Sequence, residues 1–195
     1  MRTLFLVFLL TLSLPALAQD ALTERGTLLI GGTATISQTN QNDFKTTGVA
    51  LLPRIGVFVI DGLAVGAEAG VTYSRSTNTV ELFGEDPIET TFSTTILQLA
   101  PFATYYFGAP EAAVHPFVGV SVGGQSLRFS SEFQSEEDSA TRTALFGTVS
   151  AGALLRLGTN VGLTGEAFYD FVEVEDQDSA SVFGLRGGIA VFLGR

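Results

Sequence analysis

Leu63-Ala64-Val65-Gly66-Ala67-Glu68-Ala69-Gly70-Val71-Thr72-Tyr73 is the cleanest alternation in the chain. Leu63, Val65, Ala67, Ala69, Val71 and Tyr73 share one face of an extended backbone, and Gly66, Glu68, Gly70 and Thr72 share the other. Successive side chains of a strand point to opposite faces, so a period of two predicts a strand that is apolar on one side and small or polar on the other. Asp61-Gly62, immediately upstream, is a two-residue signature of a type I′ hairpin turn. The strand therefore has an antiparallel partner just before it.

That partner, Thr47 to Ile60, sets Val49, Leu51, Ile55, Val57 and Val59 against Arg54. The same reading extends in both directions and yields eight stretches, each long enough to cross a bilayer as a tilted strand. The first spans Gly26 to Gln38, with Leu28, Ile30, Gly32, Ala34 and Ile36 opposite Gly31, Thr33, Thr35 and Ser37. After Leu63–Tyr73 come Thr91 to Phe107, Pro116 to Ser130, Thr143 to Leu157, Val161 to Val172 and Ser181 to Leu193. Glu166 and Asp170 lie on the polar face of the seventh, and Arg186 on that of the eighth. The connections alternate in length. Asp61-Gly62, Gly108 to His115 and Gly158 to Asn160 are short or modest, while Thr39–Thr46, Ser74–Glu89, Ser131–Arg142 and Glu173–Ala180 read as longer polar loops.

Composition favours a membrane barrel over a soluble β-sandwich or lipocalin-like barrel. Charged residues make up only 15% of the chain, against ~25% in an ordinary soluble domain. A helical membrane protein is excluded, because no apolar run beyond the N-terminal region approaches the ~20 residues of a spanning helix. An apolar chain without apolar runs has to distribute its hydrophobicity in alternation, which is the pattern of strands with one face in lipid. The second face, made of Gly, Thr, Ser and a few single charges, is too sparsely charged for a water-exposed surface and suits a narrow lumen. Tyr73, Tyr105, Phe107, Tyr169, Phe171 and Phe183 gather near strand ends, where interfacial girdles stand. Pro53 and Pro101 interrupt predicted strands and are expected at bulges.

The N-terminal region reads as an export signal. Met1-Arg2 is a short positive segment, Leu4 to Leu14 an apolar core, and Ala16-Leu17-Ala18 a cleavage pattern that leaves Gln19 first in the mature chain. The expected division is a signal peptide at 1–18 and one barrel domain at 19–195. There are no cysteines, so neither lipid attachment after the signal nor a disulfide framework is available. Short turns on the side of both termini would face the periplasm, with the longer loops outside.

Four segments in particular carry a resemblance: Leu52-Pro53-Arg54-Ile55-Gly56-Val57-Phe58-Val59 with Asp61-Gly62-Leu63-Ala64-Val65-Gly66, then Ala100-Pro101-Phe102-Ala103-Thr104-Tyr105-Tyr106-Phe107, then Pro116-Phe117-Val118-Gly119, and the closing Gly184-Leu185-Arg186-Gly187-Gly188-Ile189-Ala190-Val191-Phe192. With them the chain resembles the small eight-stranded outer-membrane barrels of the OmpA-like and OmpX-like family. The resemblance implies an all-β, up-and-down antiparallel transmembrane barrel in the outer membrane of a Gram-negative-type bacterium. It also implies outer-membrane lipid and lipopolysaccharide as surroundings, and barrel-assembly machinery as a partner. Members of the family usually end on an aromatic residue that this machinery reads. Here Phe192 is followed by Leu193-Gly194-Arg195, so the assembly signal is displaced inward.

Candidate functional residues are few. Arg54, Glu68, Glu166 and Arg186 share the inward face, and burial requires that such charges be paired. Neighbouring strands would pair Arg54 with Glu68 and Glu166 with Arg186, as a structural plug or as a gate. Eight strands enclose an interior that side chains can fill, which disfavours a constitutive pore. Some eight-stranded barrels modify lipid A with a His, a Ser and an acidic partner. The one histidine, His115, reads instead as a solvated turn residue with no matching pattern around it, and catalysis requires such geometry first. No cofactor or metal-ligand spacing stands out. Of the 20 acidic residues, 13 fall in the polar loops: Asp43, Glu81, Glu85, Asp86, Glu89, Glu132, Glu136, Glu137, Asp138, Glu173, Glu175, Asp176 and Asp178. An acidic rim repels nucleic acid and attracts divalent or cationic partners over about a Debye length. The expectation is a monomeric, non-enzymatic barrel with a structural or surface-interaction role. A narrow channel and a lipid A-modifying enzyme are the alternatives.

Overall fold

The computed structural model describes residues 22–41, 44–80, 88–109, 111–133, 136–174 and 179–194. The proposed signal peptide and the initial mature residues lie outside them. Eight strands run β1 (Leu28–Gln41), β2 (Phe44–Ile60), β3 (Leu63–Val80), β4 (Ile88–Tyr106), β5 (Val114–Phe133), β6 (Glu136–Arg156), β7 (Val161–Val174) and β8 (Ala180–Leu193). Each pairs antiparallel with its sequence neighbours, and β8 closes on β1. The fold class inferred from the alternation is the one observed.

Register sets the shape of the barrel. Paired inward-facing residues can be followed around the wall from Leu29 through Gly56, Gly66, Phe102, Ser121, Thr148 and Asp170 to Val182. Across the closing seam, however, Leu29 faces Phe192, a stagger of ten residues from 182 to 192. With ~3.3 Å per residue and ~4.8 Å between strands, this stagger tilts the strands by roughly 40°. Each residue then climbs about 2.5 Å along the barrel axis, and each step from strand to strand about 3 Å.

The outward face is the apolar one. Leu99, Leu145, Leu185 and Ile36 are 64%, 66%, 71% and 80% exposed. Val49, Leu51, Ile55, Val118, Val120, Val122 and Val149 are exposed beside them. An apolar surface that encircles a molecule far exceeds the scattered patches of soluble monomers and is built to meet hydrocarbon. The aromatic residues assigned to girdles are all exposed. On the axial scale derived above, Tyr73 stands roughly 20–25 Å from Tyr105, close to the ~25 Å apolar band of membrane barrels.

Two expectations change. The polar stretches that read as long loops are largely strand. β3 runs on to Val80, β4 begins at Ile88, β5 ends at Phe133 and β6 begins at Glu136. Beyond the apolar band neither face of a strand meets lipid or core, so the alternation vanishes while Thr- and Ser-rich backbones go on pairing. Thr91↔Glu132 and Ser130↔Ser139 lie within those extensions. The prolines do not mark bulges either. The register is the same before and after Pro53 (Leu51↔Val71, then Arg54↔Glu68) and Pro101 (Leu99↔Gly124, then Phe102↔Ser121). Each ring points outward and omits local pairing without shifting the strand. The irregularity lies at Phe58/Ile60 instead, beside the Asp61-Gly62 turn, where Gly62 has φ 80°.

Candidate functional site

The lumen is filled at two levels. At the rim that holds Leu22 and Leu193, the inward side chains are aromatic and aliphatic. Phe58, Tyr106, Phe117, Phe192, Phe102, Leu29 and Leu154 form one buried cluster with Leu22. Phe58 lies 5.6 Å from Tyr106 and 6.2 Å from Phe192, centroid to centroid, and Tyr106 lies 5.3 Å from Phe117. The segment before β1 straps across this end. The Gly26 amide donates to the Phe58 carbonyl at 2.8 Å, the Gly62 amide to the Thr23 carbonyl at 2.8 Å, and the Arg25 amide to Asp61 Oδ1 at 2.9 Å. The alternation predicts an inner face that is small and polar throughout, yet Phe58, Tyr106, Phe117 and Phe192 carry the inward parity at this end of their strands.

About 10 Å further along the axis, by the same strand geometry, sits a layer of charge. The register places Arg54, Glu68, Glu166 and Arg186 within about 4 Å of one another along that axis. Glu68, Glu166 and Arg186 are buried, and the Glu166 carboxylate is fully enclosed. Arg54 Nη2 donates to Glu166 Oε1 at 3.2 Å, and Arg186 Nε donates to the same oxygen. Arg54 and Glu68 are register partners, as expected, yet the guanidinium does not pair with that carboxylate. It spans the lumen to β7. Glu68 instead accepts a 2.7 Å hydrogen bond from Ser121 Oγ on β5. The reason lies in the cross-section: in a barrel this narrow, opposite walls are as accessible to a long side chain as the adjacent strand.

Aromatic rings support both arginines. The Arg54 guanidinium lies 5.6 Å from the Phe102 ring centroid, and that of Arg186 4.8 Å from Phe168. Such stacking favours a cation by the ring quadrupole. Asp170, toward the far rim, accepts from Thr148 Oγ1 at 2.7 Å. Between Arg54, Glu68, Phe102, Ser121, Thr148 and Arg186 the free volume is only ≈ 10 Å³, about what one water requires.

Other sequence candidates take different places. His115 is completely buried in β5 at the strapped rim, opposite Leu154 in the register, rather than solvated in a turn. Its neighbours Val114 and Pro116 are exposed, so His115 has the inward parity of its strand. Phe192 is likewise buried and packs on Phe58. The outward residues at the end of β8 are Val191 and Leu193. Among the acidic loop positions, Glu173 is exposed at the end of β7. Glu89, Glu132, Glu136, Glu137 and Asp138 fall on strand extensions, and Asp43, Glu81, Glu85, Asp86, Glu175, Asp176 and Asp178 lie outside the described residues. Among the described residues, no three His, Cys, Asp or Glu side chains form a metal-holding group.

The seam between β1 and β8 is unlike the other seven. Its ladder runs from Leu28↔Leu193 to Ala34↔Gly187 and stops, although β1 continues to Gln41 and β8 reaches back to Ala180. Residues 35–41 and 180–186 keep their other neighbours, β2 and β7, but not each other.

No family model matches the chain, and no curated protein does so. Among solved structures, the chain is similar to Neisserial surface protein A at 18% identity, over 85% of this chain and 94% of that one, with a TM-score of 0.44. It is similar to the outer membrane protein OprG from Pseudomonas aeruginosa at 14% identity, over 90% and 100%, with a TM-score of 0.48. A major outer membrane protein from Thermus thermophilus shares 13% identity over 87% and 100%, with a TM-score of 0.45.

Proposed function

We propose that the protein is an outer-membrane barrel with a structural and surface-interaction role in the cell envelope, and that it does not conduct solutes. The observation that carries this reading is the doubly filled lumen. A solute entering from the far rim meets the Arg54–Glu166–Arg186 ion pairs and then the Phe58–Tyr106–Phe117–Phe192 plug. Opening a path would break a buried ion-pair network and expose several aromatic side chains together, which costs far more than thermal motion supplies. The four charged residues act here as a structural plug rather than a gate.

In this reading the strapped rim faces the periplasm, after export and cleavage of the signal at 1–18. The strand extensions and acidic connections stand outside the cell, available to cationic or divalent partners. Phe192 serves both the plug and recognition by the assembly machinery. The barrel functions as a monomer and without a cofactor. Planar-bilayer recordings of the refolded chain test the central claim: no stable conductance is expected, and large, stable channel openings would overturn it. In a deletion strain, envelope integrity should suffer without any loss of small-solute uptake.

A further inference from the structure

On β4, β5 and β6 the outward face changes character at the end of the apolar band, and a groove marks the change. Its volume is ≈ 770 Å³, and it is bounded by Leu97, Leu99 and Leu145, with Gly124, Ser126 and Thr143 also lining it. Gly124 leaves it open, since a Cβ built there meets nothing within 4 Å. The register puts Leu99, Gly124 and Leu145 in one row, then Leu97, Ser126 and Thr143, then Thr95, Arg128 and Thr141. Arg128 therefore stands directly above the groove, on its own strand. Arg75, on β3, is exposed and has outward parity as well, paired with Ser93.

Strand tilt brings the two arginines level. On the axial scale both Cα atoms lie roughly 5 Å beyond Tyr73, and they are about 12 Å apart across the sheet. That separation is within the combined reach of two arginine side chains. Ser93, Thr95, Ser130 and Thr141 supply hydroxyls around them with the same outward parity. Among the described side chains, neither arginine forms an ion pair. In a chain of net charge −10, with Lys45 its only lysine, two outward cations side by side at the lipid–water boundary are notable. Glu173 also lines the groove, on the β7 side, two strands from Arg128.

We infer that Arg75, Arg128 and the groove beneath them form a binding site for a phosphate-bearing lipid of the outer leaflet, with an acyl chain along Leu97, Leu99, Gly124 and Leu145 and the phosphates held by the two guanidinium groups. The inference rests on the membrane reading given above. Charge complementarity selects the headgroup, because guanidinium forks match phosphate oxygens. The apolar groove selects a lipid over a free anion. The headgroup is held where the aromatic girdle places the boundary, so tail and phosphate are engaged together.

The test uses the mature chain refolded in detergent micelles, with heat-modifiable gel mobility reporting the folded barrel. Native mass spectrometry then compares retention of diphosphorylated lipid A with that of its dephosphorylated form. The wild type should retain the first and discriminate against the second. Arg75→Gln and Arg128→Gln should each weaken retention about fivefold, the effect of one basic residue at an anionic membrane surface. Gly124→Leu should fold normally yet lose the lipid by filling the groove. Arg156→Gln, at the opposite rim, should bind as the wild type does. Equal retention of both lipids, or no loss in the double arginine variant, overturns the proposal. So does normal lipid binding by Gly124→Leu together with displacement by inorganic phosphate alone, the behaviour of a bare anion site. A chain that fails to insert into phosphatidylcholine vesicles refutes the membrane reading itself, whereas lost discrimination in an inserted barrel refutes this site alone.

Discussion

Removing the Glu166 carboxylate should be the most damaging single change in the lumen. One of its oxygens holds two cations, Arg54 Nη2 at 3.2 Å and Arg186 Nε, inside a wholly enclosed side-chain environment. At 3.2 Å and an effective dielectric constant near 20, one such pair is attractive by about 5 kcal/mol before desolvation is subtracted. Breaking a buried pair by deleting one partner typically costs about 3–5 kcal/mol, because the other charge is left stranded. Here two charges would be stranded, with Glu68 already engaged by Ser121 and Asp170 by Thr148. Glu166→Ala is therefore expected to lose at least about 3 kcal/mol, and Glu166→Gln somewhat less because an amide oxygen still accepts. The assay is equilibrium urea unfolding in phospholipid vesicles, read by heat-modifiable gel mobility. The triple replacement Arg54→Met, Glu166→Leu, Arg186→Met should recover most of the loss, since apolar isosteres of buried ion pairs are often neutral or stabilising. A Glu166→Ala barrel within about 0.5 kcal/mol of wild type, the scale of an ordinary surface substitution, would refute the picture of a desolvated, mutually dependent triad.

Four further outcomes are expected. Phe58→Ala should destabilise the barrel by about 3–5 kcal/mol, as large-to-small changes in a packed core do; a similar loss for Phe192→Ala, set against a milder one for Phe192→Leu, would separate the plug role from any aromatic-specific assembly role, which in-cell insertion yields would report. Deleting residues 192–195 should impair insertion, and normal heat-modifiable barrel in the membrane would contradict that. Hydrogen exchange should be fast at the facing edges of residues 35–38 and 183–186 and slow at 29–33 and 188–192, where the β1–β8 ladder is intact; uniform protection along the seam would show that it is zipped to the top.

How much of this was legible beforehand depends on which force acted at each residue. Lipid on one side and a packed interior on the other impose a period of two. Leu63–Tyr73, Val118–Val122 and Phe183–Leu193 therefore disclose their strands and their faces by themselves. The inward positions of Arg54, Glu68, Glu166 and Arg186 followed from the same parity. Where neither face meets lipid or core, as in Ser74–Val80 and Glu136–Arg142, that force is absent, and the strands looked like loops.

Sequence alone determined that this chain forms an antiparallel transmembrane-type barrel, which residues face outward, and which charges share the inside. Parity is a local property of an extended backbone, so no knowledge of distant neighbours was needed. Tertiary structure decided who meets whom across the interior: that Arg54 passes its register partner Glu68 to reach Glu166, and that the rings of Phe58, Tyr106, Phe117 and Phe192 converge to seal one rim. It also decided that His115 is sealed in β5 rather than solvated, and that the β1–β8 ladder stops at Ala34 and Gly187. Those outcomes depend on the stagger of ten residues and the diameter it sets with eight strands. Stagger is a property of the closed circuit, and no single segment of sequence contains it.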